Sequence, residues 1–230
     1  MILKNEAHTI ARTLSSVKPH VDRWLVLDTG STDGTPDVVR RAMEGVEGEV
    51  HTGPFVDFAT TRNRSLELCG TQTEFILWLD ADDEISGGEA LRKFLASEKR
   101  SRAPDREAYY VRVEAGVAFD SARVLRARAA WRFRGVVHEV LSHPETAGPP
   151  AHRIPGVLVR HIAGQDAVAR SQKRWERDVG LLSRALEEDP SNARTAFYLG
   201  QTLRWLARDE EAIVAFRRRI AMGGWAEEIF

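Results

Sequence analysis

Three short apolar runs, Met1-Ile2-Leu3, Trp24-Leu25-Val26-Leu27 and Phe75-Ile76-Leu77-Trp78-Leu79, alternate with helix-period stretches across the first hundred residues. A strand that alternates with helices is covered on both faces, so this pattern predicts β-α-β units and a largely parallel sheet. The helices are expected at His8–Val17, Pro36–Met43 and Phe58–Cys69, with a further strand at Glu49-Val50-His51. In such sheets ligands gather at the carboxyl ends of the strands. Asp28 and Asp80 both fall there.

Beyond Leu79 the pattern changes. A helix is expected over Gly88–Ala96, an exposed charged loop over Glu98–Arg106, and strands at Ala108–Val113 and Arg123–Arg126. The Pro-rich stretch His143–Pro155 reads as a loop before a strand at Gly156–His161, and the chain then reads as helix from Gln165 onward. The fold expected is α/β, a mixed sheet flanked by helices over residues 1–163, followed by an all-α segment over 164–230. Within the latter, Pro190, Ala196, Tyr198, Leu199, Gly200, Leu203, Ala212 and Phe216 have spacings similar to one tetratricopeptide unit of ~34 residues. A lone repeat leaves an outer face unburied, so the chain reads as truncated, with room for a protein partner on the helices.

Composition sets outer limits. Lys plus Arg total 33 against 34 acids, a formal charge of -1 that supplies no general attraction to nucleic acid or to an anionic membrane. Phosphate binding must therefore be local. The single Cys69 excludes an intrachain disulfide, and its apolar helix context reads as core. No run approaches the ~20 apolar residues of a transmembrane helix and no signal peptide is visible, so a cytoplasmic protein is expected.

The chemistry concentrates at Asp80-Ala81-Asp82-Asp83-Glu84, four acids in five positions after a buried strand. Acids before a helix commonly cap it, which explains one carboxylate without invoking a ligand. A cluster of like charges is costly without a counter-cation, which favours a hard divalent ion, Mn²⁺ or Mg²⁺, completed by substrate phosphates. If the backbone stays extended, Asp80 and Asp82 project to the same side and share that ion. His161, at the end of a late strand, is a further candidate ligand, with a core histidine as the alternative reading.

Asp28, at the end of the second strand, suits a base imide or a ribose hydroxyl. The loop Thr29–Thr35 carries neither the GxGxxG nor the Walker pattern, which disfavours a dehydrogenase or a P-loop NTPase. Asp33 within it fits a turn and N-cap as well as a ligand contact. Arg62 suits phosphate, and a solvated helix face fits it too.

Taken together, Leu3-Lys4-Asn5-Glu6, Asp28–Thr35, Asp57-Phe58 with Arg62-Asn63, Trp78–Glu84 and Gly135-Val136-Val137-His138-Glu139 resemble, in order and spacing, a family 2 glycosyltransferase. The resemblance implies a GT-A fold and transfer of a hexose-type sugar, with inversion, from a nucleoside-diphosphate sugar, expected to be a UDP-sugar, to a protein, glycan or lipid. It implies donor contacts at Glu6, Asp28, Asp33, Arg62 and Asp80, a metal at Asp82 with His161, and Glu139 as the base. For His138-Glu139 an ordinary polar pair is the alternative. A metal-dependent nucleotidyltransferase is the rival enzyme, although its Gly-rich N-terminal loop is missing, and a non-catalytic tetratricopeptide scaffold is the rival outside enzymology. Trp78 and Trp131 remain open as sugar platforms, and Arg170, Lys173, Arg174 and Arg177 as diphosphate contacts.

Overall fold

The computed structural model describes residues 1–101, 107–144, 152–162 and 167–223. They fall into two compact units, the first drawn from residues 1–56, 60–133 and 141–164 and the second from 57–59, 134–140 and 165–230.

The first unit opens with β1 (Ile2–Leu3), α1 (Ile10–Val17), β2 (Arg23–Asp28), α2 (Thr35–Ala42) and β3 (Glu47–Thr52). The strands form a parallel sheet in the order β1-β2-β3, with Leu3 opposite Asp28. Ile10, Leu14 and Val17 recur at helical spacing and bury one face of α1. Gly34, at φ +82°, turns the chain into α2, and Pro36 fits that helix's first turn because no intrahelical N–H is needed there.

Next come α3 (Phe58–Cys69), β4 (Phe75–Leu77), β5 (Asp83–Ser86), α4 (Gly88–Ser101), β6 (Ala108–Ala115) and β7 (Val117–Arg126), then the short paired strands β8 (Arg132–Arg134) and β9 (Val140–Ser142), then β10 (Arg153–His161). The larger sheet runs β4-β7-β6-β10-β5. Alternation on β6 sends Tyr109, Val111 and Val113 inward, where they pack with Val124, Ile154, Val157 and Val159.

Four expectations need correction. β4 is shorter than the apolar run and lies antiparallel to β7 rather than in the parallel sheet. Asp83 and Glu84 form a strand instead of capping the next helix, because β10 offers its edge with His161 opposite Asp83. The charged stretch from Glu98 begins as helix: α4 runs to Ser101, and Glu98 is buried, accepting a 3.0 Å hydrogen bond from the Tyr109 hydroxyl. Pro155 lies inside β10, whose register on β6 is irregular between Arg153 and Leu158, around Gly156 at φ +72°.

The second unit contains α5 (Ala167–Glu188), α6 (Ala193–Trp205) and α7 (Asp209–Ala221). Asn192 caps α6 by accepting from the Thr195 N–H at 3.0 Å. Leu203, Ala212 and Ala215 form the seam between α6 and α7 with Leu199 and Phe216. The expectation of helix to the chain end meets residues 224–230, which lie outside the described residues. Among the described residues, no helix is long and apolar enough to cross a membrane.

Candidate active site

The chain leaves β4 at Leu77 and turns at Ala81-Asp82 before entering β5. The turn closes on itself: the Asp83 N–H donates to the Asp80 carbonyl at 3.2 Å, and the Asp80 N–H donates to Asp83 Oδ2 at 2.9 Å. Thr13 on α1 anchors it from below, donating to the Ala81 carbonyl at 2.8 Å.

This turn corrects the expectation that Asp80 and Asp82 share an ion from an extended backbone. The Asp80 carboxylate faces two guanidiniums instead, with Arg62 Nη2 at 2.6 Å from Oδ1 and Arg123 Nη1 at 3.4 Å from Oδ2. Burial alone would push the Asp80 carboxyl up, but Arg62 and Arg123 prevail and hold it well below the usual carboxylate range.

Among the described residues, Asp82, Asp83 and His161 form a cluster able to hold a cation, each offering one ligand atom, with these atoms all within 4.8 Å of one another. His161 Nε2 lies 3.4 Å from Asp82 Oδ2, and Nδ1 lies 3.5 Å from Asp83 Oδ1. Burial pushes the Asp82 carboxyl up, as do the Asp80 and Asp83 charges, against the pull of His161. The close approach of Asp83 raises the His161 imidazole, with the Asp82 and Asp80 charges helping and burial opposing. Asp83 is 1% exposed, yet its Oδ1 is buried with no hydrogen-bond partner. An orphaned carboxylate oxygen beside a second carboxylate and an imidazole suits a divalent cation by donor type.

Arg62 does not sit on a solvated face: it is 8% exposed, with its guanidinium 4.7 Å from the Trp78 ring centroid and 5.6 Å from that of Phe133. Trp78 is therefore a shelf for cations rather than an open sugar platform, since Arg123 also lies over it at 3.9 Å. Trp131 is buried and packs on His143.

The remaining candidates of this unit gather around the end of β2. Asp28 is buried and accepts from both the N–H and the hydroxyl of Ser31. Asp33 accepts from the Thr35 N–H at 3.0 Å and from the Ala7 N–H at 3.1 Å, and the Glu6 N–H donates to Thr35 Oγ1 at 2.8 Å. Although slight burial works the other way, the Thr35 and Ala7 hydrogen bonds keep the Asp33 carboxyl below its ordinary value. Glu6 also begins α1: its carbonyl accepts from Ile10 N–H at 2.9 Å and its Oε2 from the Thr9 hydroxyl at 2.7 Å. Asp33 and Glu6 thus tie the two loops together.

Glu139 belongs to the second unit, half-buried beside His138. His138 adopts φ +51°, its ring stacks on Tyr198 at 4.3 Å, and its carbonyl accepts from Arg194 at 3.1 Å. Burial, with Arg194 and Arg174 nearby, pulls the His138 imidazole down. Of the basic residues on α5, Arg177 pairs with Asp178 at 3.1 Å and lies over Phe58, while the Arg170 side chain falls outside the described residues.

Arg123 was not singled out from the sequence, and Asp83 was singled out only as one acid of the run. Asp83 is hidden among neighbouring acids that read equally well as a cap. Arg123 has one visible signal, a cation at the start of an otherwise apolar strand pattern, Arg123-Val124-Leu125.

Residues 1–103 match the model of glycosyl transferase family 2. The chain is 27% identical over 224 residues to the SPbeta prophage-derived glycosyltransferase SunS of Bacillus subtilis, covering 96% of this chain and 52% of that protein. It is 32% identical over 217 residues to a TPR repeat-containing protein of Synechococcus elongatus, covering 88% of this chain and 51% of that one. The chain thus spans about half the length of these curated relatives. The crystal structure of Staphylococcus aureus TarS 1-349 shares the fold, with a TM-score of 0.51 at 14% identity over 96% of this chain and 79% of that one.

Proposed function

We propose, for a chain whose residues 1–103 match the model of glycosyl transferase family 2, an inverting, cation-assisted transfer of a hexose-type sugar from a nucleoside-diphosphate sugar, of the UDP class, to a protein, glycan or lipid acceptor. The observation that carries this reading is the Asp82-Asp83-His161 cluster beside the Asp80-Arg62 pair. Asp82, Asp83 and His161 would hold Mn²⁺ or Mg²⁺, which when bound would supply Lewis-acid stabilisation of a departing diphosphate.

The chain's own residues do the rest. Asp28, buried at the carboxyl end of β2, is suited to accept from the base, and the Asp33 and Glu6 loops shape the wall beside it. Arg62 keeps Asp80 ionised, so that Asp80 accepts from a ribose hydroxyl without competing for a proton. Inversion is a single in-line displacement, and Glu139 is the base that takes the acceptor proton. The α6-α7 pair, similar in spacing to a tetratricopeptide unit, offers a protein-binding surface in the second unit.

Product analysis tests this reading against nucleotidyl transfer. Incubation of the chain with UDP-sugars and Mn²⁺ is expected to release UDP and free sugar, with water taking the place of the acceptor, and Glu139→Gln is expected to lose this release while retaining Mn²⁺ and donor binding. Release of pyrophosphate from a nucleoside triphosphate and a sugar phosphate would instead establish the nucleotidyltransferase. Absence of any nucleotide binding would leave the helical scaffold.

A further inference from the structure

Arg123 lies on β7, beyond the segment that matches the family, and its side chain is only 8% exposed. A guanidinium in such a place is costly to desolvate unless acids and packing offset it. Here both are present, although Nε is buried without a hydrogen-bond partner. Nη1 donates to Asp83 Oδ2 at 3.0 Å and stands 3.4 Å from Asp80 Oδ2, and the group lies 3.9 Å from the Trp78 ring centroid. Trp78 is fastened to the same strand, its N–H donating to the Arg123 carbonyl at 2.9 Å and its Nε1 to the Ala122 carbonyl at 2.8 Å.

The two oxygens of Asp83 are thereby made different. Oδ2 is taken by Arg123 and by the Asp80 N–H, while Oδ1 is left buried, without a hydrogen-bond partner and 3.5 Å from His161 Nδ1. Turning the carboxylate plane would aim Oδ1 away from His161, and the Arg123 and Asp80 N–H contacts to Oδ2 oppose that turn. The same guanidinium lies between the Asp80 and Asp83 carboxylates, offsetting the repulsion between two like charges brought together by the turn.

Resting on the cation reading above, we infer that Arg123 is a positioning residue that presents Asp83 Oδ1, together with His161, to the divalent ion. Charge alone predicts the opposite of positioning. A fixed cation near the site repels Mn²⁺, so removing it would tighten binding if Arg123 contributed only its charge.

The test is calorimetric titration of Mn²⁺ alone into the full chain, with melting curves to verify folding. Arg123→Met is expected to weaken Mn²⁺ binding by about 10–100-fold, the range for partners that orient metal ligands. Arg123→Lys keeps the charge but not the planar fork, and is expected to fall between that variant and the wild type. Should Arg123→Met fail to fold, Arg123→Lys decides alone: binding weaker than wild type supports the inference and equal binding overturns it. Equal or tighter Mn²⁺ binding by folded Arg123→Met also overturns it. A wild-type chain that binds no Mn²⁺ removes the cation reading and this inference together, an outcome separate from the others.

Discussion

His161 on β10 stands opposite Asp83 on β5, and this one antiparallel register brings a late imidazole to an acidic turn formed 78 residues earlier. Gly87, which follows β5, makes the pairing possible. At φ +78° it occupies a conformation that side chains resist, and a Cβ there would lie 1.8 Å from the Gly156 carbonyl oxygen. That oxygen is backbone and cannot step aside.

Gly87→Ala is therefore expected to destabilise the chain by about 2 kcal/mol or more, from the left-handed backbone cost plus displacement of β10. Urea denaturation checks it. An unchanged midpoint would mean that β5 and β10 are not packed this closely.

Arg62→Met keeps apolar contact with Trp78 and removes the ion pair to Asp80. The loss is expected to be roughly 1–3 kcal/mol by urea denaturation, less than for a fully buried pair because Arg123 still faces Asp80. A variant as stable as wild type would contradict the pairing.

The His161 imidazole is raised by the close approach of Asp83, so without added metal its protonated form stabilises the fold. That contribution is fully present below the ordinary histidine value of about 6.5 and is lost as pH rises through the raised one. The stability difference between wild type and His161→Gln is therefore expected to shrink from pH 5 to pH 9, while Mn²⁺ binding, which needs the neutral imidazole, strengthens over the same range. Denaturation and titration at the two ends of the range check both directions. A difference that grows with pH would contradict the assignment.

Much of this was legible from one sequence. The placement of Asp28 at a strand end follows from the apolar run Trp24-Leu25-Val26-Leu27 before it, and α3 keeps the bounds read from the sequence although its buried face carries Thr61, Arg62 and Ser65 beside Ala59 and Leu66. β5 was not legible, since Asp83 and Glu84 look like any acidic helix lead-in and become a strand only through pairing with distant β10. Arg123 was hidden for the same reason. Its acids come from another segment, and only the β4-β7 pairing, Leu77 opposite Val124, brings them together.

Cation-dependent donor binding turns on Asp82. Burial and its neighbouring acids penalise its charge, so Asp82→Asn is expected to melt no lower than wild type in the absence of metal. UDP titrated calorimetrically into both proteins, with Mn²⁺ and then with chelator, is the decisive measurement. The account predicts UDP binding by the wild type that requires Mn²⁺ and is lost in folded Asp82→Asn. Equal Mn²⁺-dependent binding by the two proteins would contradict it.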